Sequence, residues 1–260
     1  MVHFWGSIKK ALPGLLLLCC HFSFAATSVL IWPIDPVLEE QENATAIWLE
    51  NQNTEAVYFQ IRVLAWQQEN YDDVYNEQQD IAISPPFTLI EPGKRQMVRL
   101  VKKAPVAVGK EKAYRILIDE IPRVTDKSGD GGTKPATKFG VDLQMRYSVP
   151  LFSSGNGVWT KQDYEKPRNM ALSSQPVLNY KIVQSNGKKW LEIKNNGNVH
   201  ARITALNAIT SGKKIKLAEG LFGYVLANST MRWPLPANIP GNARLEAMIN
   251  HNDKPALITR

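Results

Sequence analysis

Only two cysteines occur in the 260 residues, and both, Cys19 and Cys20, fall within the first 25. The rest of the chain can form no disulfide, so its stability has to come from packed cores. Histidine is nearly as scarce: beyond residue 25 only His200 and His251 remain, which argues against a zinc site of the usual His and Cys composition. No metal is expected. The motifs of covalent and nucleotide chemistry are missing too. There is no G-x-S-x-G elbow to carry a serine nucleophile and no G-x-x-x-x-G-K-[ST] or G-x-G-x-x-G loop to cradle phosphates. The chain therefore reads as a protein without cofactors and without enzymatic activity. Asp72-Asp73 and Asp119-Glu120 are paired carboxylates, but neighbours on an extended strand point to opposite faces, so each pair reads as solvated charge. His200, after the NGN turn, reads as a surface strand residue.

Long apolar runs are also absent after the opening segment. Within that segment Lys9 and Lys10 precede an apolar run from Ala11 to Leu18, and a small-residue exit follows at Ser23-Phe24-Ala25. This is the layout of a secretory signal peptide, with cleavage expected after Ala25, and the run is too short to span a bilayer. Leu18 and Cys19 precede the two cysteines where a lipidation signal wants a small residue, so no lipid anchor is expected. The remainder should be an exported protein without membrane insertion. Its formal charge falls from +7 to +5 once Lys9 and Lys10 are removed. The positive residues are scattered rather than gathered with aromatics, so nucleic acid is not an expected partner and an acidic protein surface is preferred.

What the chain does contain is strands. SVLIWPI, ATAIWLEN, AVYFQIRVLAW, DIAISPPFTLI, GKRQMVRLVKK and AYRILIDEIP follow one another between turn residues, rich in Val, Ile, Tyr and Trp. The first half is all-β and reads as a sandwich. Arg123 to Lys138 is glycine-rich and charged, a mobile loop by composition. After Phe152 the stretch SSGNG is a short bridge, and the second half repeats the style, with a hairpin around Asn186-Gly187. Trp48-Leu49-Glu50 with its Asn-rich turn is echoed by Trp190-Leu191-Glu192. Two sandwiches in tandem would produce that echo, but so would any two sandwich strands that end in an Asn-rich turn.

The stretch KFGVDLQMRYSVPLF, residues 138 to 152, is apolar at every second position from Phe139 to Leu151. Those thirteen residues would extend roughly 40 Å, about twice a typical strand. One small sandwich cannot bury such a stripe unaided, so part of it must be covered by something else.

IEPGKRQMVRL at residues 90 to 100, YRILIDEIP at 114 to 122 and this strand after a long loop together resemble the periplasmic pilus-assembly chaperones of the chaperone-usher pathway, and their archaic branch in particular. The resemblance implies two immunoglobulin-like β-sandwich domains arranged as a boomerang. It implies a signal peptide at 1–25, a pilin-binding N-terminal domain at 26–152 and a C-terminal domain at 153–260. Pilus subunits (pilins) and an outer-membrane usher would be the partners, in the periplasm, with self-association possible when the chaperone is free. Phe139, Val141, Leu143 and Met145 correspond to donor positions that fill the open core of a pilin, whereas Tyr147, Val149 and Leu151 face the chaperone's own core or hinge. Many members hold the subunit's terminal carboxylate with two basic residues, whose places here fall on Val29 and Ser148. Arg115 is the leading replacement as anchor and Arg146 the second, with an ion pair to Asp119 or Glu120 as the competing role for Arg115. The competing reading of the whole chain is a secreted two-domain β-sandwich adhesin or structural protein.

Overall fold

A computed structural model describes residues 29–122, 144–163, 167–252 and 254–260. The expected signal peptide, the loop 123–138 and Phe139, Val141 and Leu143 lie outside the described residues.

The first sandwich is built from ten strands. They are β1 (Val29–Trp32), β2 (Val37–Leu38), β3 (Ala44–Asn51), β4 (Val57–Glu69), β5 (Asp72–Asn76), β6 (Ile81–Ser84), β7 (Phe87–Ile90), β8 (Arg95–Lys102), β9 (Glu111–Ile121) and β10 (Arg146–Ser154). One sheet runs β1-β3-β8-β6; the other runs β2-β10-β9-β4-β5, with β7 also on β4. Alternation decides which side chains fill the space between. In β4, Val57, Phe59, Ile61 and Val63 are buried while Tyr58, Gln60, Arg62 and Leu64 face outward. In β9, Tyr114, Ile116 and Ile118 are buried, and with Leu49, Leu100, Val149 and Leu151 they form the first core. Pro33 and Pro36 interrupt the chain between β1 and β2, and these two strands end on different sheets.

The second sandwich carries β11 (Leu178–Ser185), β12 (Lys188–Asn195), β13 (Ala201–Thr210), β14 (Lys213–Lys216), β15 (Leu221–Val225), β16 (Thr230–Leu235), β17 (Arg244–Ile249) and β18 (Ala256–Ile258). Its sheets are β11-β12-β16 and β14-β13-β17-β18, with β15 on β13. A separate core of Tyr180, Leu191, Ile193, Ile203, Leu206, Leu245 and their neighbours lies between them.

The echo between the halves is a real structural repeat. Asn51 closes β3 with its side-chain amide donating to the carbonyls of Glu55 and Ile90, and its oxygen accepts from the Asn53 N–H. Asn195 closes β12 in the same way: it donates to the carbonyls of Val199 and Val225 and accepts from the Gly197 N–H. Both amides are fully buried, so each asparagine satisfies backbone groups that would otherwise be stranded at a strand end.

Between the sandwiches Trp66, Phe152, Tyr224 and Leu226 form a third apolar cluster. Polar contacts surround it. Gln68 bridges to the second sandwich through the Tyr224 carbonyl and the Leu226 N–H. Arg168 forks onto Glu39 at 2.8 and 2.5 Å. His200, expected at the surface, is instead buried: its ring stacks on Phe152 with centroids 3.4 Å apart, and Nδ1 lies 3.0 Å from both oxygens of a buried Glu111. No pattern in the sequence marks it, because its burial comes from the other half of the chain.

His251 meets Asp35 across the same junction at 3.3 Å. Burial pushes its imidazole below the ordinary 6.5; Asp35 opposes this, and Lys161, His200 and Arg202 add to it. The folded state therefore prefers neutral His251, so its contribution is complete above the ordinary pKa and is lost as pH falls. The melting temperature is expected to drop between neutral pH and about pH 5, and less steeply in a His251→Gln protein. Melting curves at the two pH values check this, and an equal slope in both proteins would remove His251 from the account.

Candidate functional site

The stripe noted in the sequence emerges from its own core part-way along β10. Leu151 is fully buried and Val149 nearly so, Tyr147 is half-buried, and Met145 is 40% exposed. Of the four donor positions named from the sequence, Met145 is the one within the described residues, and it lies where the apolar face leaves the core.

The backbone there is open as well. β10 pairs antiparallel with β9 from Arg146↔Asp119 to Ser154↔Glu111. On its other side it pairs with β2, in parallel, at Phe152 and Ser153 alone. The Met145 carbonyl accepts from Glu120 N–H, so odd-numbered residues direct their backbone groups to β9, while Phe152 N–H points the other way, to the Pro36 carbonyl. The even-numbered residues Arg146 and Ser148 thus present N–H and C=O groups to an edge that no strand occupies among the described residues. Pro150 also lies on that side, so its missing N–H costs the sandwich no ladder hydrogen bond.

The outer face of this sheet carries cations in rows set by the register. Gln60, Asp119 and Arg146 form one row, Arg62, Leu117 and Ser148 the next, and Leu64, Arg115 and Pro150 the third. Asp119 accepts from Arg62 at 2.7 Å and from Arg146. Burial raises the Asp119 pKa, but hydrogen bonds from Arg146 and Arg62 outweigh it and hold the carboxyl below its usual range. Arg146 is therefore engaged with an acid. Glu120 lies on the opposite face, with Phe59 and Ile118, as adjacent strand residues must.

Arg115 has a different setting. Its guanidinium lies 3.7 Å from the Trp66 ring and 5.1 Å from the Tyr224 ring of the second sandwich. Its Nε is buried without a hydrogen-bond partner among the described residues. It makes no ion pair with Asp119 or Glu120; two aromatic faces hold the guanidinium, and it hydrogen-bonds the Tyr75 hydroxyl. Val29 is half-buried against the first core, and Ser148 is exposed on the open edge between the Arg146 and Arg115 rows.

On the opposite sheet a second apolar row reaches the surface, with Trp48 and Met97 exposed and Trp32 half-buried. Trp32, Trp48 and Met97 are paired in register across β1, β3 and β8, the two indoles stack at 6.2 Å, and Arg95 lies over Trp32. Among the described residues no three metal-ligating side chains gather, and no helix is long and apolar enough to cross a membrane.

Residues 34–158 match the family described as pili and flagellar-assembly chaperone, PapD N-terminal domain. The chain is 35% identical to the chaperone in the CsuC–CsuE chaperone–tip adhesion subunit pre-assembly complex from the archaic chaperone-usher Csu pili of Acinetobacter baumannii. That match covers 89% of this chain and 97% of the other, with a TM-score of 0.71. The chain belongs to the pilus-assembly chaperones. Family membership makes it a non-enzymatic protein of tandem immunoglobulin-like sandwiches, and the alternative of an adhesin gives way. The fold recurs at low identity in the Escherichia coli chaperone DraB, with 16% identity, coverage of 90% and 98%, and a TM-score of 0.56. It recurs again in the Salmonella enterica SafA pilin–SafB chaperone complex, with 12% identity, coverage of 90% and 97%, and a TM-score of 0.58. None of the curated proteins matches the chain.

Proposed function

We propose that this pilus-assembly chaperone works in the periplasm, where it captures incomplete pilus subunits by lending them the free edge of β10 and passes them to an outer-membrane usher. The observation that carries this reading is the edge itself. Among the described residues Arg146 and Ser148 offer backbone groups that no strand pairs, at the point where Met145 leaves the core. An exposed edge ending in an apolar stripe is a hazard in water, and a subunit that lacks a strand has the complementary defect. Strand addition repairs both: the ladder satisfies the backbone and alternate side chains of Phe139, Val141, Leu143 and Met145 fill the open core. The client then pairs with the domain at 26–152, and 153–260 forms the other domain. The Trp32–Trp48–Met97 row lies on the other sheet and stays free while the edge is filled, a surface suited to delivery. Co-expression with a pilus subunit tests the reading. The subunit should be recovered one-to-one with the chaperone and be degraded without it; a subunit equally stable alone would overturn the proposal.

Arg115 is the anchor that fits the client's C-terminal carboxylate. It sits one row from Ser148, its guanidinium is presented by Trp66 and Tyr224, and a bidentate contact would fix the register on which the stripe depends. Arg146 is already engaged by Asp119 and assists at most. Arg115→Ala should weaken capture about ten- to a hundredfold, the range of a hydrogen bond to a charged group. Arg146→Ala should do less. Subunit recovery is read beside melting curves: full capture by the double variant excludes both anchors, and a variant that merely melts returns Arg115 to a structural role.

A further inference from the structure

The two halves carry opposite charge. Residues 26–152 hold 14 Lys and Arg against 18 Asp and Glu, net −4, whereas residues 153–260 hold 15 against 6, net +9. Neither capture nor delivery as proposed above uses that excess.

Part of it forms a belt around the loop between β16 and β17. Lys188 and Lys189 follow the Asn186-Gly187 turn, and Lys189 Nζ donates to the loop carbonyls of Ala237 and Ile239 at 2.9 and 2.5 Å. The Arg260 guanidinium donates to the Gly241 carbonyl of the same loop at 2.9 Å. Arg244 opens β17 opposite Ile209, and Lys214 flanks Ile209 on the other side, with Lys213 one position on, opposite Thr210. Five of these six cations are exposed; Lys189 is half-buried. Glu246 answers one of them, Lys214, at 3.1 Å. The belt shares no residue with the junction to the first sandwich described above.

We propose that this belt is a peripheral docking surface for an anionic phospholipid membrane. Its form favours a planar partner over a shaped one. The charges sit beside two hairpin turns, at the start of β17 and on Arg260 after β18, around a loop rather than around a recess. Four of the six are lysines, compact charges on flexible stems that suit a diffuse field of headgroups better than one bidentate contact. No large apolar side chain among those described for the belt would insert, so attachment is electrostatic and reversible. The same field repels the negative first half, which holds the domain carrying the β10 edge off the membrane and able to receive a client while the chaperone is docked.

The test is sedimentation of the purified protein with vesicles of mixed phosphatidylglycerol and phosphatidylcholine, and with phosphatidylcholine alone. Binding should require the anionic lipid and vanish at high salt. Each basic side chain near such a surface strengthens partition about fivefold, so Lys188→Gln, Lys213→Gln and Arg244→Gln together should cost on the order of a hundredfold. A control with the same loss of charge on the first sandwich, Lys94→Gln, Lys103→Gln and Lys110→Gln, should bind at least as well as the unaltered protein. Both triple variants should still capture the subunit, which separates this proposal from the reading of the β10 edge. The proposal fails if the protein ignores anionic vesicles at low salt or if the two triple variants lose binding equally. It fails also if the belt instead joins copies of the chain, seen as salt-sensitive self-association without vesicle binding.

Discussion

Replacing Leu143 with glutamate is expected to abolish subunit capture and leave the chaperone folded. Leu143 shares the parity of Met145, Tyr147, Val149 and Leu151 along one extended stretch. Burial along that line falls from Leu151 at 0% exposure to Met145 at 40%, so the chaperone's own core has already released the stripe two residues before Leu143 is reached. A charge at Leu143 is therefore expected to leave the core around Val149 and Leu151 intact in the free protein. In the complex it would enter the open core of the client, where an unpaired carboxylate costs several kcal/mol, a loss of three or more orders of magnitude in affinity. Val141→Glu should behave alike. The measurement is recovery of the subunit on co-expression, with circular dichroism and melting of the purified variant. Wild-type recovery would remove Leu143 from the donor strand; an unfolded variant would place it in an internal core.

Eight residues further along the same stripe the opposite result is expected. Leu151→Ala should destabilise the fold by about 2–5 kcal/mol, the range for a fully buried leucine that leaves a cavity. Leu151 packs in the first core with Phe59, Ile116 and Ile118, which are all within 1% of full burial. Against a total stability of roughly 5–15 kcal/mol, such a loss lowers the melting temperature by many degrees. Capture should suffer only in proportion to the folded fraction and recover on cooling. Urea unfolding measures the first effect and subunit recovery at low temperature the second. A Leu151→Ala protein of unchanged stability that cannot capture would mean that the division of the stripe between chaperone and client is drawn in the wrong place.

The sequence alone carried the all-β class, because strand alternation is local: Val57, Phe59, Ile61 and Val63 are two residues apart and their common face follows from the geometry of an extended chain. It also carried the split of Asp119 from Glu120 onto opposite faces, and the excess length of the stripe through Leu151. The resemblance of YRILIDEIP and PGKRQMVRL supplied the family. What the sequence could not settle depended on partners distant along the chain. The Trp-Leu-Glu echo was open until Asn51 and Asn195 were seen to make the same three hydrogen bonds. His200 looked superficial because the residues that bury it, Glu111 and Phe152, are supplied by the other sandwich. For Arg115 the sequence left open an anchoring role and an ion pair with Asp119 or Glu120; register put Asp119 two rows away beside Arg146 and set Trp66 and Tyr224 under the guanidinium. Periodicity fixes which face a side chain takes. Only the packing of one sheet or one sandwich against another decides what that face meets, because burial, ion pairing and stacking are properties of the meeting surfaces and not of either strand.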